Sequence, residues 1–290
     1  MNELPSISIV VPNFNGAKTL EATLQSLVDQ NYPKAEFIVV DGGSTDKSIE
    51  IIKKFEPHLA WWISEKDRGQ SHAINKGFAK AKGEVINWLC SDDRLLPGAL
   101  LTVGRIFADD PGVDLVLGAT RHDQWGTIKE SIPDETSVKN LPIGNHVPQP
   151  SCFFRKRLLE GREPPLDESL HYTMDFDLWC WLTKRGAKWK VISETLAFAL
   201  EDGTNKMRTG GTKIAAEMER IYQRYGPPER VPLVVWYRRL GYPLDLWRAR
   251  HPGPVTAFFA RGLKFFVYLG LAPFYGGLRR VRTMNWSVYV

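Results

Sequence analysis

Two adjacent carboxylates, Asp92 and Asp93, directly follow an apolar segment at residues 85–89. Neighbouring carboxylates repel each other unless a cation or a hydrogen-bond donor lies between them. A hard divalent cation such as Mn²⁺ or Mg²⁺ satisfies them through their oxygens, and such ions commonly connect protein carboxylates to substrate phosphates. The pair therefore indicates a metal site for a phosphate-bearing substrate. The alternative, that Asp92 only caps a helix beginning near Leu95, stays open from the sequence.

Three further polar clusters follow apolar segments in the same way. They are residues 13–15 after the segment 7–11, residues 41–46 after 37–40, and residues 65–69 after 60–63. Taken alone, Asp41 could do no more than form a turn with Gly42, and Asp46 could only support the first turn of a helix. Four such clusters are much more specific than any one of them, and they indicate a substrate site built from loops.

The segments between these clusters alternate between the patterns of strands and helices. Apolar, β-branched runs predict strands at 7–11, 37–40, 60–63, 85–89 and 113–117, and helical spacing predicts helices over 20–30, from a cap at Ser44 or Thr45 to Phe55, over 69–82 and over 95–107. Repeated βαβ units give an α/β fold with a mostly parallel sheet and helices on both faces. Ligands of such sheets bind at the carboxyl ends of the strands, where the polar clusters lie.

Several classes of protein fit this sequence poorly. No Gly-x-Gly-x-x-Gly follows the first strand and no Gly-Lys-Ser/Thr loop is present, which argues against dinucleotide oxidoreductases and P-loop NTPases. A nucleotidyltransferase with a similar sheet would want a basic, glycine-rich loop near the first strand, and residues 12–16 contain no Lys or Arg. Cys90, Cys152 and Cys180 lie far apart, so they predict neither disulfides nor a zinc site and fit a reducing cytoplasm.

The charge of the chain is distributed unevenly. Residues 206–290 hold 15 Lys/Arg and 4 Asp/Glu, a net charge of +11, whereas the rest of the chain carries −6. After a helix predicted over 209–224, aromatic and basic residues are mixed, and the longest uncharged run, 265–278, is too short to span a bilayer. This composition favours a helical extension that lies in a membrane interface. The alternatives are a helical layer packed on the rest of the chain and an oligomer interface.

The order and spacing of four segments give the sequence a specific resemblance. It is similar to the family 2 glycosyltransferases in residues 8–15 (SIVVPNFN), 41–46 (DGGSTD), 65–77 (EKDRGQSHAINKG) and 88–93 (WLCSDD). The resemblance covers about residues 5–205 and implies the GT-A fold, in which a Rossmann-like half binds the nucleotide. The nucleotide-sugar-binding half would span 1–118, the acceptor-binding half 119–205, and residues 206–290 would form a helical, basic and aromatic extension.

The resemblance also implies roles for the residues of these loops. Asp41 would accept a hydrogen bond from the base, commonly uracil, and Asp67 with Arg68 would hold the sugar or the nucleotide. Residues 91–93 stand where the family carries its Asp-x-Asp motif, with Ser91 in place of the first Asp. Asp93 is then the metal ligand, and the nucleotide or donor contacts are Pro12, Asn13, Asn15, Asp41, Gly43, Asp67, Arg68, Ser91 and Asp92.

In the acceptor-binding half, the resemblance also implies a general base. Residues 170–182 (LHYTMDFDLWCWL) resemble the family's acidic motif at the start of a helix under the acceptor, and Asp175 matches its general base. Inverting transfer needs such a base, since the acceptor hydroxyl loses its proton while its oxygen attacks the anomeric carbon opposite the leaving diphosphate. Asp177 would point to another helical face, as an acceptor contact or as a structural charge. Residues 146–155 add Gln149 and Ser151 as acceptor contacts.

One departure from the family concerns the metal site. The family often carries a His just after the strand that follows the base motif, and residues 199–206 (ALEDGTNK) contain none. Glu201, or Asp202, would substitute for it as a metal ligand, or Asp93 and phosphate would hold the metal alone. Lys206 and Arg208 would reach the diphosphate from a glycine-containing loop, unless they are only solvent-exposed charges.

Together these features predict an inverting, metal-dependent glycosyltransferase of surface polysaccharide biosynthesis. Its donor would be a nucleoside-diphosphate sugar, with UDP as the expected nucleotide, and its acceptor a hydroxyl of a glycan or polyprenyl-linked saccharide. Because the N-terminus has no basic region followed by an apolar run, we expect no signal peptide and a location at the cytoplasmic face of the inner membrane. The alternatives are a polyprenyl-phosphate sugar transferase, a basic-tailed nucleic-acid-binding protein, for which no recognised motif is present, and a non-catalytic partner subunit.

Overall fold

The computed structural model describes residues 2–124, 126–139, 141, 145, 147–201, 212–226, 239, 243–244, 247–248, 251 and 253–275. The chain divides into two compact units. The first unit comprises Met1–Lys139 and His146–Asn205, and the second comprises Asn140–Asn145 and Lys206–Val290. The first unit holds the sheet with all predicted site residues except Lys206 and Arg208, and the described part of the second unit is mainly helical.

The N-terminal part of the first unit alternates regularly between strands and helices. In chain order these are β1 (Ile7–Asn13), α1 (Leu20–Val28), β2 (Ala35–Asp41), α2 (Ser48–Phe55), β3 (Trp61–Ser64), α3 (Gln70–Lys80), β4 (Val85–Trp88), β5 (Asp93–Leu95) and α4 (Ala99–Asp109). Strand β1 is buried at every position, because both faces of a parallel sheet are covered by helices. Its continuous apolar run therefore reflects its central place in the sheet.

The remainder of the first unit is richer in strands. It contains β6 (Leu115–Gln124), β7 (Thr127–Ser131), α5 (Glu135–Lys139), β8 (Cys152–Arg155), α6 (Met174–Lys184) and β9 (Trp189–Glu201). The second unit contributes α7 (Thr212–Tyr225) and α8 (Pro254–Tyr275), which includes Pro273 near its end. Helix α7 matches the helix predicted over 209–224 except at its start, since residues 209–211 lie outside the described residues. No helix in the described part of the chain is both long and apolar enough to cross a membrane.

One nine-stranded sheet organises the first unit, in the order β3-β2-β1-β4-β8-β6-β9-β5, with β7 beside β6. The strands from β3 to β4 are parallel, and β6 is parallel to β9. Strand β8 runs antiparallel to both of its neighbours, and β5 and β7 also pair in the antiparallel direction. The predicted α/β fold class is confirmed, with every antiparallel pair involving a strand of the second half.

Helices cover both faces of the sheet around β1. On one face, Ile9 and Val11 belong to a cluster of buried residues that also contains Val103 of α4. On the other face, α3 lies so close that a Cβ at Gly77 would be 2.3 Å from Val10 Cγ1. Since successive residues of a strand point to opposite faces, β1 alone supports two hydrophobic layers. This burial fixes the strands whose carboxyl ends carry the polar loops.

The helix predicted from Leu95 begins four residues later, at Ala99. Residues 93–95 instead form β5, in which Asp93 pairs with Ala199 of β9. Gly98 is the N-cap of α4 at φ +81°, so the alternative that Asp92 caps this helix is wrong. The pairing partner lies more than 100 residues away in the sequence, which is why local helical spacing did not reveal the strand.

The start of α2 and the length of β6 also differ from prediction. Helix α2 begins at Ser48, because the predicted caps Ser44 and Thr45 are used in the loop and Asp46 accepts a hydrogen bond from the Ser48 backbone N–H at 2.9 Å. Strand β6 runs from Leu115 to Gln124 rather than over 113–117, because its pairing with β9 continues beyond the apolar run.

Candidate active site

Asp41 lies at the carboxyl end of β2, where it connects three loops. It is fully buried and accepts five hydrogen bonds. Asn13 Nδ2 and Ser44 Oγ donate to its Oδ1 at 2.7 and 2.5 Å, and Ser64 Oγ donates to its Oδ2 at 2.7 Å. The backbone N–H groups of Gly43 and Ser44 complete the set.

This environment determines the charge of Asp41. Burial on its own would raise the pKa of the carboxyl, but the hydrogen bonds from Ser44, Ser64 and Asn13 outweigh it and hold the pKa below its usual value. Asp41 is therefore an anion that organises the surrounding loops. The base contact that the resemblance implies would have to share oxygens already engaged by five donors, so the placement favours a role in shaping the pocket.

The loops after β1 and β2 are joined to each other by short hydrogen bonds. Asn15, at φ +52°, donates its backbone N–H to Ser44 Oγ at 2.7 Å and accepts the Thr45 backbone N–H on its Oδ1 at 2.9 Å. Asp46 Oδ2 accepts the backbone N–H of Ala17 at 3.0 Å. Asn15, predicted as a nucleotide contact, thus also fixes the conformation of the neighbouring loop.

Two glycines allow these loops to approach the other predicted site residues. A Cβ at Gly16 would lie 2.3 Å from Asn13 Oδ1 and 2.8 Å from Ser91 Oγ. A Cβ at Gly42 would lie 2.6 Å from Asp67 Oδ2. A side chain at either position would force the polar groups of Asn13, Ser91 or Asp67 to move, so both glycines preserve the observed arrangement of these side chains. They bring the first loop against Ser91 and the second loop against Asp67.

Asp67 and Arg68 follow β3 and are held differently. Asp67 is half-buried, and its Oδ1 accepts the backbone N–H of Gly69 at 2.8 Å. Arg68 is exposed and reaches across to Glu168, with Nη2 and Nε at 2.6 and 3.0 Å from Glu168 Oε2. Burial would raise the pKa of Glu168, but Arg68 and Asn75 hold it below its usual value. An exposed ion pair of this kind is weak, so an anionic ligand can compete for Arg68.

The acidic turn at residues 90–93 continues directly from β4. Ligand atoms of Cys90, Asp92 and Asp93 all lie within 4.8 Å of one another, close enough to share one cation. The two carboxylates suit Mn²⁺ or Mg²⁺, whereas the sulfur of Cys90 suits softer metals. The carboxylate pair therefore fits the divalent cation that the sequence predicted. Gln70 Nε2 donates to Cys90 Sγ at 3.1 Å and ties α3 to the turn.

Helix α1 positions the acidic turn through its backbone. The Thr23 hydroxyl is fully buried, 2.7 Å from the carbonyl oxygen of Asp93 and 3.0 Å from that of Ser91. Strand pairing between Asp93 and Ala199 holds the other side of the turn. On β9, Glu201 lies two residues beyond Ala199, so its backbone is at the same end of the sheet. Lys206 and Arg208 lie outside the described residues.

Asp175 occupies the first turn of α6, and aromatic packing fixes this helix on the sheet. Trp179 stacks on Trp88 at the end of β4, with ring centroids 5.6 Å apart and planes inclined by 14°. Asp175 lies four residues earlier and hence on the same helical face. Strand β8, which begins at Cys152, pairs with β4 at Val85 and Ile86. Burial raises the pKa of Cys152 well above its usual value, and the negative charge of Asp175 raises it further.

The three predicted acceptor contacts differ in accessibility. Asp177 is fully buried and forms an ion pair with Arg162, whose guanidinium also lies over the Trp181 ring. Ser151 is fully buried and its hydroxyl lies 2.6 Å from the Thr120 hydroxyl and 2.7 Å from the Ala119 carbonyl oxygen. An acceptor would have to displace these interior contacts, so the environment favours structural roles for both residues.

Gln149 has the environment of a surface contact. It is partly exposed, and its Nε2 donates to the Trp88 carbonyl oxygen at 2.7 Å and to Asn87 Oδ1 at 3.2 Å. These bonds hold it at the carboxyl end of β4, the same end that leads into the acidic turn. Of the three predicted acceptor contacts, Gln149 is the one that the geometry favours.

The family of the chain follows from its sequence over this region. The family model described as Glycosyl transferase family 2 matches residues 8–168, which is more than half of the chain. The chain belongs to family 2 of the glycosyltransferases. The resemblance predicted from the loop motifs is thereby confirmed, and with it an enzyme that transfers a glycosyl group.

Two relatives of this glycosyltransferase illustrate the extent of the similarity. An uncharacterized glycosyltransferase of Nostoc sp. is 29% identical over 217 residues, which cover 69% of this chain and 66% of that protein. The GalNAc(5)-diNAcBac-PP-undecaprenol beta-1,3-glucosyltransferase of Campylobacter jejuni is 31% identical over 170 residues, which cover 55% of this chain and 54% of that protein. The glycosyltransferase thus matches less than two thirds of the length of either relative.

Solved structures share the fold of this glycosyltransferase. S. aureus TarS 1–349 in complex with UDP-GlcNAc matches with a TM-score of 0.65 at 17% identity, covering 95% of this chain and 82% of that one. The mannosyltransferase PcManGT of Pyrobaculum calidifontis, in complex with GDP-Man and Mn²⁺, matches with a TM-score of 0.59 at 18% identity, covering 97% and 86%. Identities this low establish the fold alone, and the predicted GT-A fold is confirmed.

Several residues that shape the site of this glycosyltransferase were not predicted from the sequence. Thr23 lies on the buried face of α1 with Leu20, Leu24 and Leu27. A polar residue on an otherwise apolar helical face is the sequence feature that could have identified it. Glu168 and Asn75 carry no such signal, since their contacts join segments about 90 residues apart. Gly42 lies within the motif at residues 41–46 and Gly16 directly follows the motif at residues 8–15, but the sequence does not show the close approaches made at these two positions.

Proposed function

We propose that this glycosyltransferase moves a sugar from a nucleoside-diphosphate sugar, with UDP as the nucleotide, to an acceptor hydroxyl with inversion at the anomeric carbon. One observation carries the proposal: the acidic turn at residues 90–93 follows β4, and α6, which carries Asp175 in its first turn, packs on the end of the same strand through Trp179 on Trp88. The turn and the start of α6 are thus two acidic elements attached to one strand. The first element suits the donor's diphosphate and the second suits the acceptor hydroxyl.

The chemistry assigns different tasks to these carboxylates. Asp93 and Asp92, with Glu201 as a proposed third ligand, would hold Mn²⁺ or Mg²⁺, which when bound stabilises the negative charge of the leaving nucleoside diphosphate. Asp175 would accept the proton of the acceptor hydroxyl as its oxygen bonds to the anomeric carbon and the bond from that carbon to the diphosphate oxygen breaks. Further donor and phosphate contacts are proposed at Pro12, Asn13, Asn15, Gly43, Asp67, Arg68, Ser91, Lys206 and Arg208.

The substrates of similar proteins support a choice of donor and acceptor. TarS is seen with UDP-GlcNAc and PcManGT with GDP-Man. We propose UDP for this chain, because the family commonly binds uracil and TarS is seen with a UDP-sugar; Asp41 would shape the pocket for the base through its loops. The name of the Campylobacter relative includes an undecaprenol-linked saccharide, which supports a polyprenyl-linked saccharide as acceptor. A phosphate acceptor would need no strong base, so the placement of Asp175 favours a hydroxyl over a polyprenyl phosphate.

The proposal extends to the organisation and location of the enzyme. Residues 1–118 would bind the nucleotide sugar and residues 119–205 the acceptor. Residues 230–290 would contact the cytoplasmic face of a membrane, where a polyprenyl-linked acceptor is held. The net charge of +11 over residues 206–290 supports this location, since cytoplasmic leaflets are anionic.

Calorimetric titration tests the donor site directly. The protein is titrated with UDP, GDP and dTDP, with and without Mn²⁺, and Asp93→Ala is compared with wild type. We expect Mn²⁺-dependent binding of UDP that weakens by roughly tenfold or more in Asp93→Ala, because a metal ligand is lost. Asp109→Ala removes an exposed carboxylate at the end of α4 and serves as the matched control. If no nucleotide binds under either condition, the proposed donor site is wrong.

A further inference from the structure

Helix α8 presents large apolar side chains to solvent. Seven of them are exposed, with Phe258 and Phe266 at 75% and 71%; the set is Val255, Phe258, Phe259, Leu263, Phe265, Phe266 and Leu269. At about 100° per residue, these positions fall within an arc of roughly 160° around the helix axis. They form one continuous surface along the helix, which we call the apolar face of α8.

An exposed apolar face of this kind indicates a contact with another body. Soluble proteins seldom leave large contiguous apolar patches in water, and patches that remain mark protein or membrane contacts. A helix with a broad apolar face and polar or basic residues elsewhere can lie in the plane of a membrane interface. The exposed side chains from Val255 to Leu269 therefore fit a planar apolar boundary along that part of α8.

The charge beside the apolar face selects among possible partners. Residues 246–290 contain seven Lys/Arg and no Asp or Glu. Arg261 is exposed and lies roughly 40° beyond the edge of the apolar arc. Its aliphatic stem can follow the apolar face while its guanidinium remains in the polar layer. Trp247 and Arg248 are also exposed, and aromatic and basic side chains together suit the headgroup region of an anionic bilayer.

We propose that α8 docks flat on an anionic membrane surface, with Phe258, Phe259 and Phe266 inserted below the headgroups and Arg261 at the level of the lipid phosphates. This inference rests on the membrane location proposed above and names the helix and the face that provide it. A polyprenyl-linked acceptor is confined to the bilayer, so docking raises the concentration of acceptor near the enzyme. Donor binding in solution does not depend on this contact.

Vesicle co-sedimentation of the full chain tests the proposal. Wild type should sediment with vesicles of phosphatidylcholine and phosphatidylglycerol in equal parts, and much less with phosphatidylcholine alone or at high salt. The double variant F258E/F266E should lower partitioning into the mixed vesicles by roughly tenfold or more, since two charges would enter the apolar layer. Ile132→Glu is the matched control, because Ile132 is 59% exposed in the first unit and should leave partitioning unchanged.

The remaining outcomes separate the docking face from the donor site. Arg261→Glu should lower the preference for anionic vesicles several-fold, which tests the orientation without altering the apolar face. Equal binding of wild type and F258E/F266E, or no binding of wild type to mixed vesicles, would overturn the proposal. A lipid-free dimer in sedimentation equilibrium that F258E/F266E abolishes would assign the face to a second copy instead. UDP affinity should be the same in wild type and F258E/F266E. If neither protein binds UDP, the proposed function is contradicted, while the proposal that α8 docks on a membrane is not.

Discussion

Carboxylates at the donor side and at the reaction side of the sheet edge are held in different ways. Asp41 is fully buried and its two oxygens accept five hydrogen bonds from neighbouring loops. Asp92 and Asp175 are only half-buried. The turn of Asp92 is positioned through carbonyl oxygens bonded by Thr23, and Asp175 is positioned by the packing of α6. Asp41 therefore cannot change its partners without disturbing the three loops that it connects.

The largest effect should come from the reaction side. Asp175→Asn removes the proposed proton acceptor and should lower kcat by roughly 10²- to 10⁴-fold, the usual contribution of a general base. The affinity for UDP and Mn²⁺ should not change, because the donor site lies on other elements. The measurement is UDP release from a UDP-sugar in the presence of lipid-linked saccharide extracted from membranes, combined with calorimetry.

Asp109→Asn supplies a matched loss of one charge at an exposed position for this comparison. Near-normal turnover in Asp175→Asn would show that the base is another residue or that the acceptor is a phosphate, which needs none. Asp175 would then no longer differ from Asp41 by a catalytic role.

For Asp41, the main effect should be on stability. In Asp41→Asn an amide NH₂ replaces an oxygen that accepts hydrogen bonds, so donors in the buried network face one another. Breaking a buried charged network of this kind should lower the free energy of unfolding by about 2–4 kcal/mol. Urea unfolding followed by circular dichroism measures it. Asp46→Asn, at an exposed position, should cost less, and equal losses in the two variants would remove the distinction drawn for Asp41.

The same network predicts a dependence of stability on pH. Burial alone would raise the pKa of Asp41. The hydrogen bonds from Ser44, Ser64 and Asn13 lower it by a larger amount, so the pKa lies below the ordinary value of 3.8. When the pKa of a carboxyl is lower in the folded state than in the unfolded state, its full contribution to stability is present at pH values above the unfolded-state pKa. This contribution is lost as the pH falls through the folded-state pKa. Wild-type stability should therefore fall more steeply below about pH 4 than that of Asp41→Asn. Parallel profiles would show that Asp41 is not the anion inferred here.

The parts of the fold that the sequence predicts are those set by local patterns. Strands β1 to β4 and the helices between them follow from apolar runs and helical spacing, and their loops carry the family motifs. Strand β5 was not predicted, and its last residue, Leu95, was assigned to the following helix, because the partner strand β9 is distant in the sequence. The start of α2 was displaced because Asp46 accepts from Ser48, while Ser44 bonds to Asp41 instead.

The site shows the same limit. Residue types and spacing predicted candidate carboxylates, but not which of their oxygens are already bonded. The complete burial of Asp41, Ser151 and Asp177 depends on long-range packing, and it changes what each can do. Glu168 contacts residues that are distant in the sequence, so a single sequence gives no pattern by which to find it, whereas the polar Thr23 stands on the apolar face of α1 but its partners there cannot be read from the sequence.

Thr23→Val tests whether the acidic turn is held through its backbone. Valine keeps the shape of threonine but leaves the carbonyl oxygens of Ser91 and Asp93 without the hydroxyl, which should lower the free energy of unfolding by about 1–2 kcal/mol. Mn²⁺-dependent UDP binding should weaken several-fold as the turn loosens. Thr23→Ser retains the hydroxyl and should restore both. Weak binding in the serine variant as well would mean that packing of the methyl group, not the hydrogen bond, places the turn.

The smallest effect should come from Glu168→Gln, which tests whether Arg68 belongs to the donor side at all. The Arg68 side chain is 68% exposed, so losing the ion pair should change the free energy of unfolding by no more than about 1 kcal/mol. If Arg68 binds the donor, removing the competing carboxylate should tighten UDP-sugar binding by about two- to fivefold at low salt, and high salt should abolish the gain. Arg68→Gln should weaken binding instead. An unchanged affinity in both variants would leave Arg68 as a surface link between residues 68 and 168 and remove it from the donor site.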